Sequence, residues 1–476
     1  MPKEKKTKIV ATLGPACSSK EIIKEMILEG ANVFRVNFSH ADYNNVKDTI
    51  AMIRKVGDEL GTSTAILADL QGPKLRVGIM KEEVVVEPGD EITFCTGEEF
   101  EGTRDRVYMN YNKFPKDVNP GERVLLDDGK LIFEVVKTNK KNEVKAIVVQ
   151  GGPLQSKKGV NLPNTKVSLP ALTAKDKKDA IFAISQEVDW IALSFVRNSD
   201  DLKELQAIIE AHSEYKIPII AKIEKPEAVA NIDKIIAYCD GLMVARGDLG
   251  VEVPAEEVPL IQKELVLTAK RARIPVIIAT QMMETMITSL TPTRAEVNDV
   301  ANSVMDGADA VMLSGETSIG KYPVEVIKTM SKILKSVENS SLITVPQEPP
   351  TIRTNRYITK SICYHAAHMA NEIEAQAICT LTNSGYTAFQ ISAWRPAAHI
   401  LVYTSNRRIL SRLNLLWGVK AFYYDKFVST DETVEDINKI AFERGFVSKG
   451  DYLINLAAMP IVDKGMVNTL RVSQVK

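Results

Sequence analysis

The feature that most constrains this chain is a rhythm in which a short apolar run alternates with an amphipathic helical stretch, eight times over. Nearly uninterrupted apolar runs are typical of strands buried on both faces of a parallel sheet. The helical stretches supply the crossovers that parallel strands need. Eight such units predict a closed (β/α)8 barrel, the TIM-barrel fold. The runs are KIVATLG (8–14), VFRVNFS (33–39), AILADL (65–70), DWIALSF (189–195), IPIIAKIE (217–224), GLMVARGD (241–248), IPVIIATQ (274–281) and ADAVMLSGE (308–316).

Residues 71–165, between the third and fourth runs, have a different pattern. Their helical period disappears, and alternating segments such as ERVLLDDGKLIFEVV surround Pro-Gly and Asp-Asp-Gly turns. Such segments are typical of short antiparallel strands, so we expect an inserted, small all-β barrel domain. The remaining residues, 1–70 and 166–340, number about 245, which is close to the size of one (β/α)8 barrel.

The last part of the chain, residues 341–476, is expected to form a domain of its own. A linker containing Pro346, Pro349 and Pro350 follows the eighth unit. Strand-like runs then alternate with helical stretches again, in AICTLTNSG, HILVYTSN, VKAFYY and DYLINLA. We predict a C-terminal open α/β domain.

Composition argues against several classes of function. Lys plus Arg number 60 and Asp plus Glu 61, for a formal net charge of -1, which disfavours bulk binding of nucleic acid or of an anionic membrane. No run approaches the roughly 18 apolar residues of a membrane span, and the N-terminus lacks the apolar core of a signal peptide. The five cysteines form no CxxC pair. We therefore expect a cytoplasmic protein with reduced thiols, no nucleic-acid partner and no membrane attachment.

Chemistry in such a barrel belongs at the carboxyl ends of the strands, where the βα loops converge. Polar residues follow seven of the eight runs at that point. Singly, each is more often a helix cap or turn former than a catalyst, but together they predict one site. They are Asn37, Ser39, His40, Asp69, Ser194, Lys222, Glu224, Arg246, Gly247, Asp248, Thr280, Gln281, Ser314 and Glu316.

Three of these residues indicate a cation site. Lys222 and Glu224 are two apart on one predicted strand, so their side chains leave the same face. A surface salt bridge is the alternative, and the apolar character of IPIIAKIE disfavours it. Glu224 and Asp248 come from adjacent strands with no nearby His or Cys, which favours Mg²⁺ or Mn²⁺ over zinc.

Arg35 is a cation inside the apolar run VFRVNFS, and a buried guanidinium needs an anionic partner. A protein carboxylate and a bound phosphate explain it equally well. Arg35, Lys222 and a divalent cation together describe a centre that binds a phosphoryl group. The sequence has neither a GxxxxGK[ST] loop nor a GxGxxG after a strand, which removes the usual nucleotide-binding folds.

The chain resembles the pyruvate kinase family over essentially its full length. The resemblance is carried by TKIVATLGPA, ANVFRVNFSH, ADLQGPKLRVG, KKGVNLP, AKIEKPEA, MVARGDLGVE, IATQMMETMI, PTRAEVNDVAN and DAVMLSGETSIGKYP. It implies a barrel interrupted by a β domain that closes over the site, a C-terminal regulatory domain subject to allosteric control, and a homotetramer. It also implies phosphoryl transfer from phosphoenolpyruvate to ADP, giving pyruvate and ATP in the last step of glycolysis.

The resemblance also implies roles for individual residues. Arg35 matches the arginine that holds the substrate phosphate, and Lys222 the lysine that stabilises the phosphoryl group during transfer. Glu224 and Asp248 match the ligands of the divalent metal. Substrate-binding positions are Arg35, Lys222, Gly247, Asp248, Thr280, Ser314 and Glu316, and Thr280 is linked to protonation of the enolate through water. Nucleotide-binding positions are Asn37, Ser39, His40, Arg76 and Lys158.

The segment after the third run departs from the potassium-dependent pattern. Potassium-dependent members carry DTKGPEIR there, whereas this chain has DLQGPKLR at 69–76, with Lys74 in place of the glutamate. We expect the Lys74 ammonium to replace the ion, because K⁺ beside it would be repelled, so K⁺ is not required. The alternative is that Lys74 points into solvent and that K⁺ binds in the family's pocket, which matches Asn37, Ser39, Asp69 and the carbonyl of Leu70.

The C-terminal run LTNSGYTAFQIS resembles the family's sugar-phosphate pocket, with Thr382, Asn383, Ser384 and Thr387 as its candidates. Tyr386 interrupts the hydroxyl-rich loop, and AAMPIVDKGMVNTL lacks the glycine-rich effector loop. Fructose-1,6-bisphosphate is therefore not expected to be a strong activator.

Two other functions compete with the kinase. A Mg²⁺-dependent lyase or aldolase acting on pyruvate enolates would also use Arg35, Glu224 and Asp248, but it has no need of cations on a nucleotide lid. A metabolite sensor that lost turnover usually lacks a metal ligand or the phosphoryl lysine, and both are present here. Neither competing function consumes ADP.

Overall fold

The structure is a computed structural model. It describes residues 5–39, 41–81, 84–163, 165–340, 343, 349–350, 354–426, 429–460 and 465–476.

Eight parallel strands close into a barrel in which each strand pairs with its neighbours, confirming the predicted fold. Almost every residue of these strands is buried, as continuous apolar runs require. In chain order the barrel strands are Lys8–Thr12, Val33–Asn37, Ala65–Asp69, Trp190–Leu193, Ile219–Ile223, Gly241–Ala245, Val276–Ala279 and Ala310–Leu313.

The helices around the barrel begin and end at recognisable signals. Ser19 and Asp42 cap their helices by accepting a hydrogen bond from the backbone three residues on. Thr293 and Glu296 form the capping box that PTRAE predicts. The helices are Lys20–Glu29, Tyr43–Leu60, Ala174–Ser185, Ser199–His212, Pro226–Ala230, Ile232–Ile235, Arg246–Glu252, Val258–Ala272, Arg294–Asp306, Gly315–Ser318 and Pro323–Glu338, with 3₁₀ turns at Pro15–Cys17, Ala255–Glu257 and Glu284–Ile287.

The inserted domain consists of β strands around a core of phenylalanines. Phe94 meets Phe114 and Phe133 edge to face, with ring centroids 6.0 and 5.3 Å apart. One helical turn, Phe114–Asp117, interrupts the strands. The strands are Val84–Val86, Glu91–Cys95, Arg106–Tyr108, Arg123–Leu126, Leu131–Thr138, Glu143–Gln150, Gly152–Leu154 and Val160–Asn161.

The expected small β barrel differs in detail, because these strands form a six-stranded and a two-stranded sheet. The edges of the six-stranded sheet do not pair with each other directly. A short segment bridges both edges, with Arg76 paired to Gly159 on one side and Val77 to Met109 on the other. The domain therefore closes through isolated bridges. The two segments that connect it to the barrel, around Arg76 and Gly159, take part in these bridges.

The C-terminal domain is an open sheet with helices, as predicted. Its strand order is Val419–Tyr423, His399–Thr404, Ala377–Leu381, Tyr452–Ala457 and Thr469–Gln474. The last strand is antiparallel to its neighbour. The helices are Tyr357–Glu372, Tyr386–Ala393, Arg407–Arg412 and Thr430–Glu443, with a 3₁₀ turn at Leu413–Leu415. The division of the chain at residues 70, 165 and 340 stays a prediction.

The C-terminal domain supplies part of the barrel interior. Leu415 is fully buried and belongs to the same cluster as Trp190, which points inward from the fourth barrel strand. Phe389 lies against Trp190 with ring centroids 6.3 Å apart, and the indole N–H donates to the Arg412 carbonyl over 3.1 Å. Packing thus joins the end of the barrel opposite the site to the last domain.

Candidate active site

Four charged side chains form a continuous chain at the carboxyl ends of the second, third and fifth strands. Arg35 Nε lies 2.6 Å from Asp69 Oδ2. Lys222 Nζ lies 3.2 Å from Asp69 Oδ1 and 2.9 Å from Glu224 Oε1. The predicted same-face placement of Lys222 and Glu224 is present in the structure. Arg35 pairs with a protein carboxylate here, which was one of its two expected partners.

The network keeps Lys222 and Asp69 ionised. Burial alone would lower the pKa of Lys222, but the carboxylates of Asp69 and Glu224 outweigh burial and raise that pKa above its ordinary value. Burial alone would raise the pKa of Asp69, and the Lys222 and Arg35 cations reverse that effect and lower it. The site therefore holds two fixed cations close together, both with little exposure to water.

Ser194 connects Lys222 to the third strand end. Lys222 Nζ donates to Ser194 Oγ over 2.8 Å, and Ser194 Oγ donates to the Leu70 carbonyl over 2.6 Å. The sequence placed Ser194 at a strand end without giving it a role. The structure makes it a positioning contact for the lysine, and it donates to one lone pair of the Leu70 carbonyl that was considered for K⁺.

Glu224 and Asp248 lie on adjacent strand ends, as the cation prediction requires. Glu224 is buried and accepts a hydrogen bond from the Phe195 N–H over 2.7 Å. The Asp248 carboxylate has no hydrogen bond or ion pair among the described residues, and it faces the cleft. Burial, followed by the charge of Glu224, raises the pKa of Asp248 to about 6. An unpartnered carboxylate beside a second one fits a hard divalent cation.

The described residues contain no group of three or more His, Cys, Asp or Glu side chains that could hold a metal ion. A cation at Glu224 and Asp248 would therefore have two protein ligands and depend on water or substrate for the others. This is the usual arrangement for Mg²⁺ at sites that act on phosphates.

The raised pKa of Asp248 predicts a gain in stability when its charge is removed. The folded-state pKa of about 6 exceeds the ordinary 3.8, so the folded protein favours the protonated carboxyl group. Protonated Asp248 therefore contributes stability at low pH, and this contribution is lost as the pH rises through 6. At pH 7.5 in EDTA, Asp248→Asn should melt at a higher temperature than the wild type. Its free energy of unfolding should exceed that of the wild type by at most about 3 kcal/mol. The gain should shrink towards pH 4.5.

Asp128→Asn is the matched control, because Asp128 is exposed and lines the same cleft. The Asp128 charge makes only a minor contribution to the raised pKa of Asp248, so the melting temperature should rise much less than in Asp248→Asn at pH 7.5. An Asp248→Asn protein that melts at or below the wild-type temperature at pH 7.5 in EDTA would contradict the expected charge strain.

The loop after the seventh strand is held in an unusual conformation. Thr280 has a φ of 70°, which a β-branched residue rarely adopts. Its hydroxyl accepts from the Gly247 N–H over 2.7 Å and donates to the Ala279 carbonyl over 2.6 Å. Arg246 secures the loop by donating to the Thr280 carbonyl over 2.7 Å. Thr280 and Gly247 are thus brought together, each satisfying the other.

Glu316 binds backbone at the seventh and eighth strand ends. Its carboxylate accepts from the Met283 N–H over 3.2 Å and from the Ser314 N–H over 2.6 Å. Burial raises the pKa of Glu316. This geometry favours a role in positioning the loops, with Ser314 as the N-cap residue of the short helix Gly315–Ser318.

A cleft of about 300 Å³ separates the inserted domain from the barrel. Most of its charged lining is cationic, with the carboxylates Asp128 and Asp248 as exceptions. Lys158 Nζ lies 2.9 Å from Asp127, a carboxylate of the inserted domain's own turn. The cationic lining residues are Lys74, Arg76, Lys157, Lys158, Arg197 and Lys225.

Sequence reasoning missed Lys157, Arg197 and Lys225. Their position offered a signal, because Lys225 directly follows Glu224, and Arg197 lies two residues beyond the fourth strand run. The predicted Arg76 and Lys158 do line the cleft. His40 lies outside the described residues.

The residues proposed for a monovalent cation are close to one another. Asn37 and Asp69 are opposite each other on paired strands, and the Ser39 N–H donates to Asn37 Oδ1 over 3.1 Å. Lys74 is half-buried in the cleft. Its pKa is lowered by burial and then by Arg76, while Asp248 and Asp69 act in the opposite direction. The Lys74 ammonium therefore lies within electrostatic range of the site.

Comparison with known proteins places the chain in a family. A family model described as the pyruvate kinase barrel domain matches residues 4–327, and one described as the pyruvate kinase alpha/beta domain matches residues 360–473. Pyruvate kinase from Corynebacterium efficiens is 42% identical, over 98% of both chains. The chain belongs to the pyruvate kinase family. Pyruvate kinase 2 from Synechocystis sp. is 43% identical over 100% of this chain and 80% of its own length.

A crystal structure of a pyruvate kinase from Cryptosporidium parvum is also similar. It superposes with a TM-score of 0.92 at 32% identity, over 99% of this chain and 96% of its own. The family's barrel, separate β domain and C-terminal α/β domain are thus shared. Among the described residues, we find no helix of the length and apolarity needed to cross a membrane. Pyruvate kinase family members are phosphotransferases, which agrees with the cationic site.

Proposed function

We propose that this chain transfers the phosphoryl group of phosphoenolpyruvate to ADP, giving pyruvate and ATP in glycolysis. The observation that carries the proposal is Lys222, held between Asp69 and Glu224 beside Arg35 and below a cationic cleft. Membership of the pyruvate kinase family supports it. In the reaction the bond between phosphorus and the enolate oxygen breaks, a bond to a terminal ADP oxygen forms, and the enolate takes a proton at carbon.

Arg35 and Lys222 supply the electrostatic part of this chemistry. The transferring phosphoryl group spreads negative charge over its equatorial oxygens in a loose transition state. Two fixed cations in a poorly hydrated site stabilise that charge without reorganising. We assign Arg35 to the substrate phosphate and Lys222 to the group in transfer. Asp69, which pairs with both, fixes their separation.

Glu224 and Asp248 would hold Mg²⁺ or Mn²⁺. When bound, such an ion neutralises phosphoryl and carboxylate oxygens of the substrate. The two carboxylates follow adjacent strands, and the free Asp248 oxygens face the cleft. Glu224 also accepts the Phe195 N–H, which orients its carboxylate.

Thr280, Gly247, Ser314 and Glu316 border the place where the enolate would take its proton. We propose that Thr280 orients a water for this step, since a threonine hydroxyl is too weak an acid to act alone. Its hydroxyl donates to the Ala279 carbonyl and accepts from the Gly247 N–H, which leaves one lone pair for that water. Glu316 fixes the two loops. The Gly247 N–H donates to the Thr280 hydroxyl, and we propose that it exchanges this acceptor for the substrate carboxylate.

Arg76 and Lys158 are proposed to bind the nucleotide phosphates from the inserted domain, together with Asn37, Ser39 and His40. Lys158 Nζ is paired with Asp127 Oδ1. A phosphate would compete for this ammonium, so binding exchanges one anionic partner for another. The Lys74 ammonium, near Asp69 and Asp248, is proposed to act in place of K⁺.

A coupled assay of pyruvate formation from phosphoenolpyruvate and ADP tests the function. We expect pyruvate to form with strict dependence on ADP and on Mg²⁺ or Mn²⁺. A lyase, an aldolase or a metabolite sensor would consume no ADP. Absence of turnover with both substrates and either metal would overturn the proposal.

We also propose that the protein is a cytoplasmic homotetramer.

The C-terminal domain is expected to respond weakly to fructose-1,6-bisphosphate. Thr387, one of the four candidates for its phosphate, is buried and hydrogen-bonded to Thr380 over 2.9 Å. Tyr386 lies under Arg356, 4.3 Å from the guanidinium to the ring centre. Titrating the bisphosphate should leave the half-saturating phosphoenolpyruvate concentration nearly unchanged. A large decrease would contradict this prediction.

A further inference from the structure

A polar contact crosses from the inserted domain to the barrel at Glu252, the last residue of helix Arg246–Glu252. Glu252 Oε1 accepts a hydrogen bond from Asn161 Nδ2 over 2.9 Å and lies 2.6 Å from Lys225 Nζ. The Glu252 side chain is only 1% exposed. A carboxylate this deeply buried is unfavourable unless it is paired, so its two partners are structurally important.

The three residues come from positions next to the predicted catalytic groups. Asn161 lies in the inserted domain, three residues beyond Lys158. Lys225 directly follows Glu224, and Glu252 shares its short helix with Asp248. Asn161 and Lys225 both line the cleft. The contact therefore joins the part of the chain that carries lid cations to the part that carries the metal ligands.

Each side of the contact is held firmly. Asn161 is opposite Leu125 in the six-stranded sheet, so its amide moves with the whole inserted domain. The inserted domain also comes close to the same barrel helix at Gly129, where a Cβ atom would lie 3.9 Å from Val251 Cγ1. Within the described part of the chain, the buried Glu252 Oε2 has no hydrogen-bond partner. The carboxylate thus depends on the two partners that share Oε1.

We infer that Asn161, Glu252 and Lys225 form a latch that positions the inserted domain over the barrel for nucleotide binding. The inference rests on the proposed transfer to ADP. Asn161 and Glu252 are positioning residues, because they fix the distance between the lid cations and the barrel ligands. Enolate chemistry in the barrel does not need that distance, so proton exchange at the methyl group of pyruvate should be independent of the latch.

A reversal of the hydrogen bond tests the latch. Asn161→Asp places two carboxylates against each other and should raise the KM for ADP about tenfold. Combining it with Glu252→Gln restores a donor and an acceptor in the opposite order, and should bring the KM back to within about threefold of the wild type. Methyl proton exchange should be unchanged in every variant. Asn142→Ala, on an exposed turn of the same domain, is the control.

A distance measurement gives a readout that does not depend on turnover. The five native cysteines are buried, so spin labels can be placed on Lys145→Cys in the inserted domain and Lys203→Cys on the barrel, both exposed positions. The distance distribution should broaden in Asn161→Asp and narrow again in the double variant.

Wild-type distances and an unchanged KM for ADP in Asn161→Asp would overturn the latch. Equal impairment of the single and double variants would also overturn it, because a pairing role requires recovery. If the wild type formed no pyruvate, the proposed function would fail, and the distance distributions alone would still decide the latch.

Discussion

Lys222→Met should lower the rate of phosphoryl transfer by about 10³-fold or more, while substrate binding changes little. The ammonium stabilises charge that develops mainly in the transition state, so its loss falls on kcat. Methyl proton exchange into pyruvate, which needs the divalent ion and the proton donor, should survive. Stopped-flow or coupled rates beside proton exchange by NMR would measure both.

The structure adds a consequence for stability. Removing Lys222 leaves Asp69 with Arg35 alone and leaves Glu224 without its cation. Breaking a buried ion pair in this way typically costs about 3–5 kcal/mol, so the variant should also melt at a lower temperature. Retained proton exchange shows that the site is still folded. Lys203→Met, on an exposed helix face, is the control. A variant that keeps more than about a tenth of the transfer rate refutes the assignment.

The wild type should be almost fully active without K⁺, changing by less than about twofold when K⁺ replaces a bulky organic cation at constant ionic strength. Lys74 is half-buried in the cleft, near Asp69 and Asp248, and supplies the unit of positive charge that a bound ion would add. Lys74→Glu should lose activity in K⁺-free buffer and regain part of it when K⁺ is added.

Lys74→Met separates the two effects of Lys74→Glu, which are the loss of a cation and the gain of a carboxylate. It removes the cation without adding a carboxylate, so it should be impaired without K⁺ and respond less to K⁺ than Lys74→Glu does. A wild type that is nearly inactive until K⁺ is added would show that Lys74 does not replace the ion.

The barrel could be predicted from sequence because its strands are buried on both faces, which leaves an unmistakable apolar run. The face shared by Lys222 and Glu224 follows from the two-residue period of a strand. Pairings between distant segments leave no such local signal. Asn161 and Glu252 are 91 residues apart, and neither stands in a pattern that points to the other.

Local patterns also fail where a side chain has two possible partners. Arg35 inside an apolar run required an anion, and sequence could not choose between a carboxylate and a phosphate; the structure supplies Asp69. Thr387 matched a hydroxyl-rich loop, but its side chain turns inward to Thr380. The identities of these residues were informative, whereas their directions depended on packing.

The contribution of Leu415 and Phe389 to the interior around Trp190 bears on how such a protein can be recombined. A chimaera that takes its barrel from this chain and its last domain from a relative would combine two packing surfaces that do not come from the same protein. Trp190 and Leu415 should therefore be inherited from the same parent. The last domain follows the barrel in the chain, yet its residues Leu415 and Phe389 complete the packing of the barrel interior.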